Sequence, residues 1–293
     1  MKGTYVLWGP PLLPMVYDEA AQRSVKTLID LYWPFESGQG LLDRPEVLEP
    51  ADVLLTGWGC PRLDAKILDA APNLKAIFYA AGTVEPIVSD ALWDRDILVT
   101  CANDANAIPV ADFTVAEVIF SLKRGWFFQR QFAERRDGAE TAMWRYKVPH
   151  SGTYGSVVGV VSLHTPLLDT TRGLVTGSLI GSMKQHATLI NTARGGIIDE
   201  AEMIEELERR QDLTAVLDVT ETEPIDKSST LFDLPNVVLT PHIAGSQMME
   251  CQRMGGYMVG ELDRYVRGQP LKYRVDKAAA ERMGTLRSQA AGE

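Results

Sequence analysis

Three segments in the second half of the sequence end in side chains suited to chemistry on a small anion. In INTARGGIIDE, Arg194 stands among small residues, where a guanidinium can reach a ligand carboxylate as a bidentate donor. In DVTETEP, Asp218 follows an apolar run, and Glu223 precedes Pro224, which fixes the turn. In LTPHIAGS, His242 is followed by small residues that let a flat ring approach the backbone. Histidine ionises near neutrality, and a neighbouring carboxylate holds the ring and favours imidazolium. Such a set suits proton exchange with the oxygen of a carboxylate-bearing alcohol or ketone while hydride leaves or joins the adjacent carbon. Singly, each residue has an ordinary explanation: a solvated arginine, a turn carboxylate, a histidine lining a surface. Together, at successive strand ends, they are hard to explain as packing, because charges are buried only when paired.

The elements that must carry these residues follow from apolar periodicity. TYVLWG, ADVLLTGW, LKAIFYAAG and ILVTCAN are short, nearly continuous apolar runs, as parallel strands buried on both faces require. Between them YDEAAQRSVKTLIDLY, DAKILDAAPN and SDALWDRD read as crossover helices, giving an open α/β sheet. One long helix is expected from about Pro109 through VADFTVAEVIFSLKRGWFFQRQF, too apolar for a free surface and hence packed between two domains. RRDGAETAMWRYKVPHSG then reads as a polar surface connection. A second α/β series runs from Gly155 to Ser246 through VVSLHTP, ATLINTARGG, TAVLDVTETEP and NVVLTPHIAG. Its helix after ARGGII has Asp199 as N-cap with Glu202 completing a capping box, and Met203, Ile204 and Leu207 as its buried stripe. Ligands of open α/β sheets bind beyond the carboxyl ends of the strands, so the polar strand ends should converge on one cleft. A last helix ends near Gly268, and the segment after it is placed to rejoin the first domain. The fold class is therefore α/β with two parallel-sheet domains: 1–108 with 250–293, and 109–249, the latter including the connecting helix.

Bulk properties bound the function. The 293 residues suffice for two domains, and 29 basic against 39 acidic side chains give a net charge of −10. That balance argues against a nucleic-acid surface, which needs clustered cations. No apolar run is expected to span a membrane, and MKGTYVLWGPPLLP is a poor signal peptide. Cys60, Cys101 and Cys251 are odd in number and widely spaced, so neither disulfides nor a metal site is expected, and a reduced cytoplasmic protein is. His150 and His186 read as surface residues, and His164 as a strand-end residue lining the cleft.

The second half resembles the D-isomer-specific 2-hydroxyacid dehydrogenase family. VVSLHTPLLDTTRGLV, LINTARGGIIDE, LDVTETEP and VVLTPHIAGS match its signature segments in order. NAIPVADFTVAEVIFSLKR resembles its inter-domain helix, and YVRGQPLKYRV its closing segment, so the likeness covers residues from about 75 to 275. The resemblance implies a flavodoxin-like substrate domain and a Rossmann-type cofactor domain. It implies hydride transfer between NAD, or NADP, and a small 2-hydroxy or 2-oxo acid, by a homodimer with GWFFQRQF near its interface. It assigns Arg194 to the substrate's carboxylate and carbonyl, Glu223 to orienting the histidine, and His242 to acid–base catalysis. Asp218 would bind the nicotinamide carboxamide. Thr165, Pro166, Thr192, Ala193, Arg194, His242, Ala244 and Gly245 would line the cofactor, and Ala81, Gly82 and Thr83 would offer backbone N–H groups to the substrate carboxylate.

Two departures stand out. Cys101 occupies a position where the family often has a substrate-contacting asparagine, with Asn103 or Asn106 available to substitute. The sequence also contains no GxGxxG, and GSVVG at Gly155–Gly159 is too short to replace it. The cofactor domain is thus incomplete by at least one βα unit of ~30 residues, which would hold the pyrophosphate loop and the ribose-binding acid. Two expectations follow: a dehydrogenase whose complete polypeptide carries that segment, or a dehydrogenase-fold binding or regulatory protein that has lost cofactor affinity. An intact mass well above 32.3 kDa supports the first, and agreement with it the second.

Overall fold

The computed structural model describes residues 1–136, 143 and 159–284. The chain divides into two compact units: Met1–Pro109 with the described residues from Gly245 onward, and Val110–Ala244.

In the first unit the four expected strands form as β1 (Lys2–Leu7), β3 (Val53–Thr56), β4 (Ala76–Tyr79) and β5 (Leu98–Cys101). A fifth, β2 (Asp30–Ser37), follows the helix Glu19–Leu28, in a stretch whose sequence reads as helix tail. It leaves no continuous apolar run because it is an edge strand with a mixed burial pattern and Pro34 inside. The parallel order β2-β1-β3-β4-β5 is flavodoxin-like. The late strand β10 (Arg274–Val275) adds antiparallel to β5. Its return is pinned by Glu261, 1% exposed, whose Oε2 accepts N–H from Lys272 (2.9 Å) and Tyr273 (3.0 Å). Glu261 lies on the last long helix, Cys251–Val266, which is followed by Gly268 at φ +64°.

The apolar helix starts earlier than expected. It runs Asn103–Leu122 directly off β5, with Pro109 inside it rather than in its first turn. Proline there removes one intrahelical donor. The helix also ends sooner: Arg124 takes φ +53°, and a separate helix Gly125–Arg135 begins. Trp126 then donates from Nε1 to Glu117 Oε2 (2.9 Å) and packs edge-on to Phe120 at 4.8 Å, folding the second helix back on the first. The expectation that no segment reaches membrane-span length needs correcting, since Asn103–Leu122 is long and apolar enough by length and composition alone. It carries Asp104, Asp112 and Glu117.

The second unit holds β6 (Val160–Leu163), β7 (Thr188–Asn191), β8 (Thr214–Leu217) and β9 (Val237–Leu239), all parallel and adjacent in chain order. The polar connection after Arg136, His150 and most of GSVVG lie outside the described residues. The helix Glu200–Arg209 buries Met203 and Leu207, with Ile204 half-buried at the edge of the same core. Asp199 caps it by accepting the Glu202 N–H (3.0 Å), but the box does not close. The Glu202 carboxylate turns instead to the Gly177 N–H at 2.7 Å, while the Asp199 N–H pairs with the Val175 carbonyl. A neighbouring helix start with an unmet donor outcompetes the local one.

Candidate active site

Arg194, Glu223, Asp218 and His242 all sit just beyond the carboxyl ends of β7, β8 and β9, within the second unit. The parallel register aligns those ends, so residues distant in sequence become neighbours. His242 Nδ1 lies 3.0 Å from Glu223 Oε2, with both side chains partly exposed. That contact raises the His242 pKa above the ordinary histidine value, against burial and Arg194, which lower it. Glu223 joins Pro224 through a cis peptide. Arg194 is half-buried, and its guanidinium is close enough to Glu223 for their charges to interact. It donates once, from Nη1 to the Ala193 carbonyl (2.6 Å), leaving further donors on the fork.

Asp218 has a task that the sequence does not disclose. It is 1% exposed, and its Oδ1 accepts Thr240 Oγ1–H (2.6 Å) and Ile243 N–H (2.8 Å), while Oδ2 accepts Ala244 N–H (2.8 Å). Its own carbonyl accepts the His242 N–H at 2.9 Å. Four bonds from one residue thus hold the loop that presents His242 at φ +54°, a left-handed conformation that costs a non-glycine residue about 1 kcal/mol or more. Oδ2 accepts only the Ala244 bond among the described residues. Thr240 stands in LTPHIAGS, but nothing in the pattern ties it to Asp218.

The other expected contacts differ in how free they are. Thr192 is buried, and its hydroxyl meets Thr114 Oγ1 at 3.2 Å; since Thr114 donates to the Val110 carbonyl, Thr192 is the donor there. It fastens a helix rather than facing solvent. The Ala193 N–H is taken by Asn191 Oδ1 (3.0 Å). Thr165 is exposed, and the Pro166 carbonyl accepts from Thr171. Ala244 is buried, and Gly245 is half-buried. His164 shares a 2.8 Å contact with Ser162 on an exposed strand end. His186 is not a plain surface residue: its Nδ1 is buried without a partner among the described residues, and its N–H is held by Asp212.

In the first unit the loop after β4 carries Ala81, Gly82 and Thr83, whose N–H groups have no acceptor among the described residues. Asn106 Oδ1 accepts the Ser246 N–H (2.9 Å), and its amide lies beside Gly82 and Gly245. Asn106 is therefore engaged in the scaffold. Cys101 is buried at the end of β5, where burial pushes its thiol up to about 11.

Residues 144–244 match the profile of the D-isomer specific 2-hydroxyacid dehydrogenase, NAD binding domain. The sequence is 27% identical over 266 positions to D-3-phosphoglycerate dehydrogenase of Archaeoglobus fulgidus, covering 75% of this chain and 50% of that one. It is 28% identical over 251 positions to (S)-sulfolactate dehydrogenase of Chromohalobacter salexigens, covering 69% and 81%. The chain is thus similar, over residues 144–244, to the NAD binding domain of the D-isomer specific 2-hydroxyacid dehydrogenases. It spans about half the length of the D-3-phosphoglycerate dehydrogenase it matches. Among solved structures, the fold resembles a family member from Xanthobacter autotrophicus Py2 in complex with NADPH and MES, with TM-score 0.68, 22% identity, and 94% of this chain and 99% of that one covered. The chain is also shorter than its relatives in the matched region. Of the 266 positions shared with the Archaeoglobus relative, 75% of 293, about 220, are residues of this chain, so about 46 positions of the relative face none here.

A pH experiment isolates the Glu223–His242 contact. Replacing Glu223 by Gln keeps the shape and removes the charge, so imidazolium is less favoured and is lost at lower pH. In the reduction of a 2-oxo acid proposed below, with imidazolium as the proton donor, the alkaline limb of the rate profile should move to lower pH. A pH–rate series in which Glu223→Gln superimposes on wild type would remove Glu223 from this role.

Proposed function

We propose that the protein transfers hydride between a nicotinamide cofactor, NAD or NADP, and C2 of a small 2-hydroxy or 2-oxo acid. The observation that carries this reading is the 3.0 Å His242–Glu223 contact at a strand end shared with a half-buried, incompletely engaged Arg194. With Nδ1 held by Glu223, Nε2 is the nitrogen left to meet substrate. In the reducing direction Nε2–H gives its proton to the C2 oxygen, and in the oxidising direction Nε2 takes the hydroxyl proton. Arg194 presents its remaining N–H donors to the carboxylate and holds C2 in place. A bound nicotinamide supplies or accepts the hydride.

The second unit fits the nicotinamide end of such a cofactor: His242 and the small Ala244 lie on one loop, which Asp218 holds. A non-catalytic binding or regulatory role is favoured by a separate observation, that Gly159 leads straight into β6 with no glycine-rich turn and helix after it. The names of relatives supply the substrate panel: 3-phosphoglycerate, sulfolactate and glyoxylate chemistry. The test is turnover of the corresponding 2-oxo acids, with both reduced nicotinamides, by the 293-residue chain. Activity that Arg194→Ala weakens chiefly through a higher KM supports the reading. No turnover with any pair favours the binding protein.

The reading includes a homodimer in a reducing, cytoplasmic setting. It is supported by exposed apolar side chains in the second unit, among them Val115, Ile119, Phe132 and Val161, and by three free, buried cysteines. Sedimentation at micromolar concentration should give twice the chain mass, and a monomer would count against the dimer.

A further inference from the structure

Dinucleotide folds divide their cofactor between two devices. The nicotinamide meets side chains at the ends of the later strands. The pyrophosphate sits on a glycine-rich turn at a helix N-terminus, at the point where the strand order reverses. Among its described residues, the second unit of this chain holds the first device without the second. Its described strands run β6-β7-β8-β9 in chain order, so the described sheet contains no reversal and no crevice of that kind. The whole sequence has no GxGxxG, and Gly155–Gly159 is followed at once by strand β6. About 46 positions of the Archaeoglobus relative have no counterpart here.

The helix starts that do lie near these strand ends are already taken by carboxylates. Glu202 Oε2 accepts the Gly177 N–H, and Asp199 Oδ1 accepts the Glu202 N–H. Glu200 adds a third acid in the first turn of Glu200–Arg209 and accepts the Glu221 N–H at 2.9 Å. A helix start dressed in three carboxylates repels a pyrophosphate instead of seating it.

We infer that this chain engages a nicotinamide dinucleotide through its nicotinamide-ribose end only, so that the adenylate half contributes no affinity and a reduced nicotinamide mononucleotide binds as well as NADH. The inference rests on the proposed dehydrogenase reading and narrows its cofactor requirement from a dinucleotide to any reduced nicotinamide nucleotide. It also predicts indifference to the 2′-phosphate that separates NADPH from NADH, since that group belongs to the half without a site.

The experiment is direct binding to the purified 293-residue chain, read by nicotinamide fluorescence and calorimetry, with NADH, NADPH, reduced nicotinamide mononucleotide and ADP-ribose as separate probes. The three nicotinamides should give dissociation constants within about threefold of one another, and ADP-ribose should not compete, whereas an adenylate site worth 1.4 kcal/mol would already separate them tenfold. NADH binding tenfold tighter than the mononucleotide, or displacement by ADP-ribose, would overturn the inference while leaving the dehydrogenase reading in place. Binding of none of the nicotinamides at millimolar concentration would overturn both. An Asp218→Asn variant should weaken all three nicotinamides by the same factor, since the loop that Asp218 holds carries His242 and Ala244 at their shared end; unequal weakening would count against a single-ended site.

Discussion

Replacing His242 by Ala is expected to lower kcat for 2-oxo acid reduction by about 10² to 10⁴-fold, the usual contribution of a positioned acid–base group. The variant should stay folded, because the imidazole is partly exposed and its hydrogen-bond partner, Glu223, is partly exposed as well. Alanine also adopts the left-handed backbone at φ +54° no more readily than histidine, so the Asp218 bonds to residues 242–244 still determine the loop. Loss should therefore fall on kcat, with binding of the nicotinamide little changed. Steady-state kinetics beside a fluorescence titration separates the two. A His242→Ala enzyme that turns over at the wild-type rate would sink the acid–base assignment, and a parallel loss of nicotinamide binding would show that the loop had collapsed.

The second large effect is expected at Gly195, next to Arg194. The residue is buried, and a Cβ there would lie 1.9 Å from Thr220 C, 2.0 Å from its carbonyl oxygen and 2.3 Å from Glu221 N. These are backbone atoms of the segment between β8 and Glu223, so no rotamer change relieves the clash. Gly195→Ala must push the Arg194 turn and the Glu223 turn apart. Overpacking of this kind costs about 1–3 kcal/mol, and the displacement should reduce kcat/KM well beyond what that stability loss explains. Gly256→Ala is the matched control, because a Cβ there meets nothing within 4 Å and its helical site favours Ala over Gly. Thermal unfolding should show a clear drop in Tm for Gly195→Ala and none for Gly256→Ala. Equal Tm values for the two would mean that the close approach at Gly195 relaxes without cost.

Much of the fold is legible because buried parallel strands leave a strong mark on a sequence. VLLT, AIFY, TLIN and the run before Asp218 can be placed from apolarity alone, as can the Asp199 cap. Sequence and structure part where that mark fades. β2 is a half-exposed edge, and the start of the Asn103–Leu122 helix is set by the end of β5 and not by its proline. The break at Arg124 depends on Trp126 reaching back to Glu117 and Phe120, a contact that local propensity does not encode. The capping box stays open because Gly177, 25 residues away, offers Glu202 a better partner.

For the site, the sequence by itself determined the chemical inventory: an arginine, a glutamate, an aspartate and a histidine after successive apolar runs, with no glycine-rich phosphate loop. Residue type and strand periodicity are local properties, so they survive in one dimension. Only the tertiary structure decided which groups are free. Parallel register brought Glu223 to His242, while Thr240 and the N–H groups of Ile243 and Ala244 claimed most of Asp218. Thr192 went to Thr114, and the carboxylates of Glu202 and Asp199 filled helix starts that an anion would otherwise use. Hydrogen-bond capacity is finite, and its allocation is settled by distances between atoms far apart in the chain.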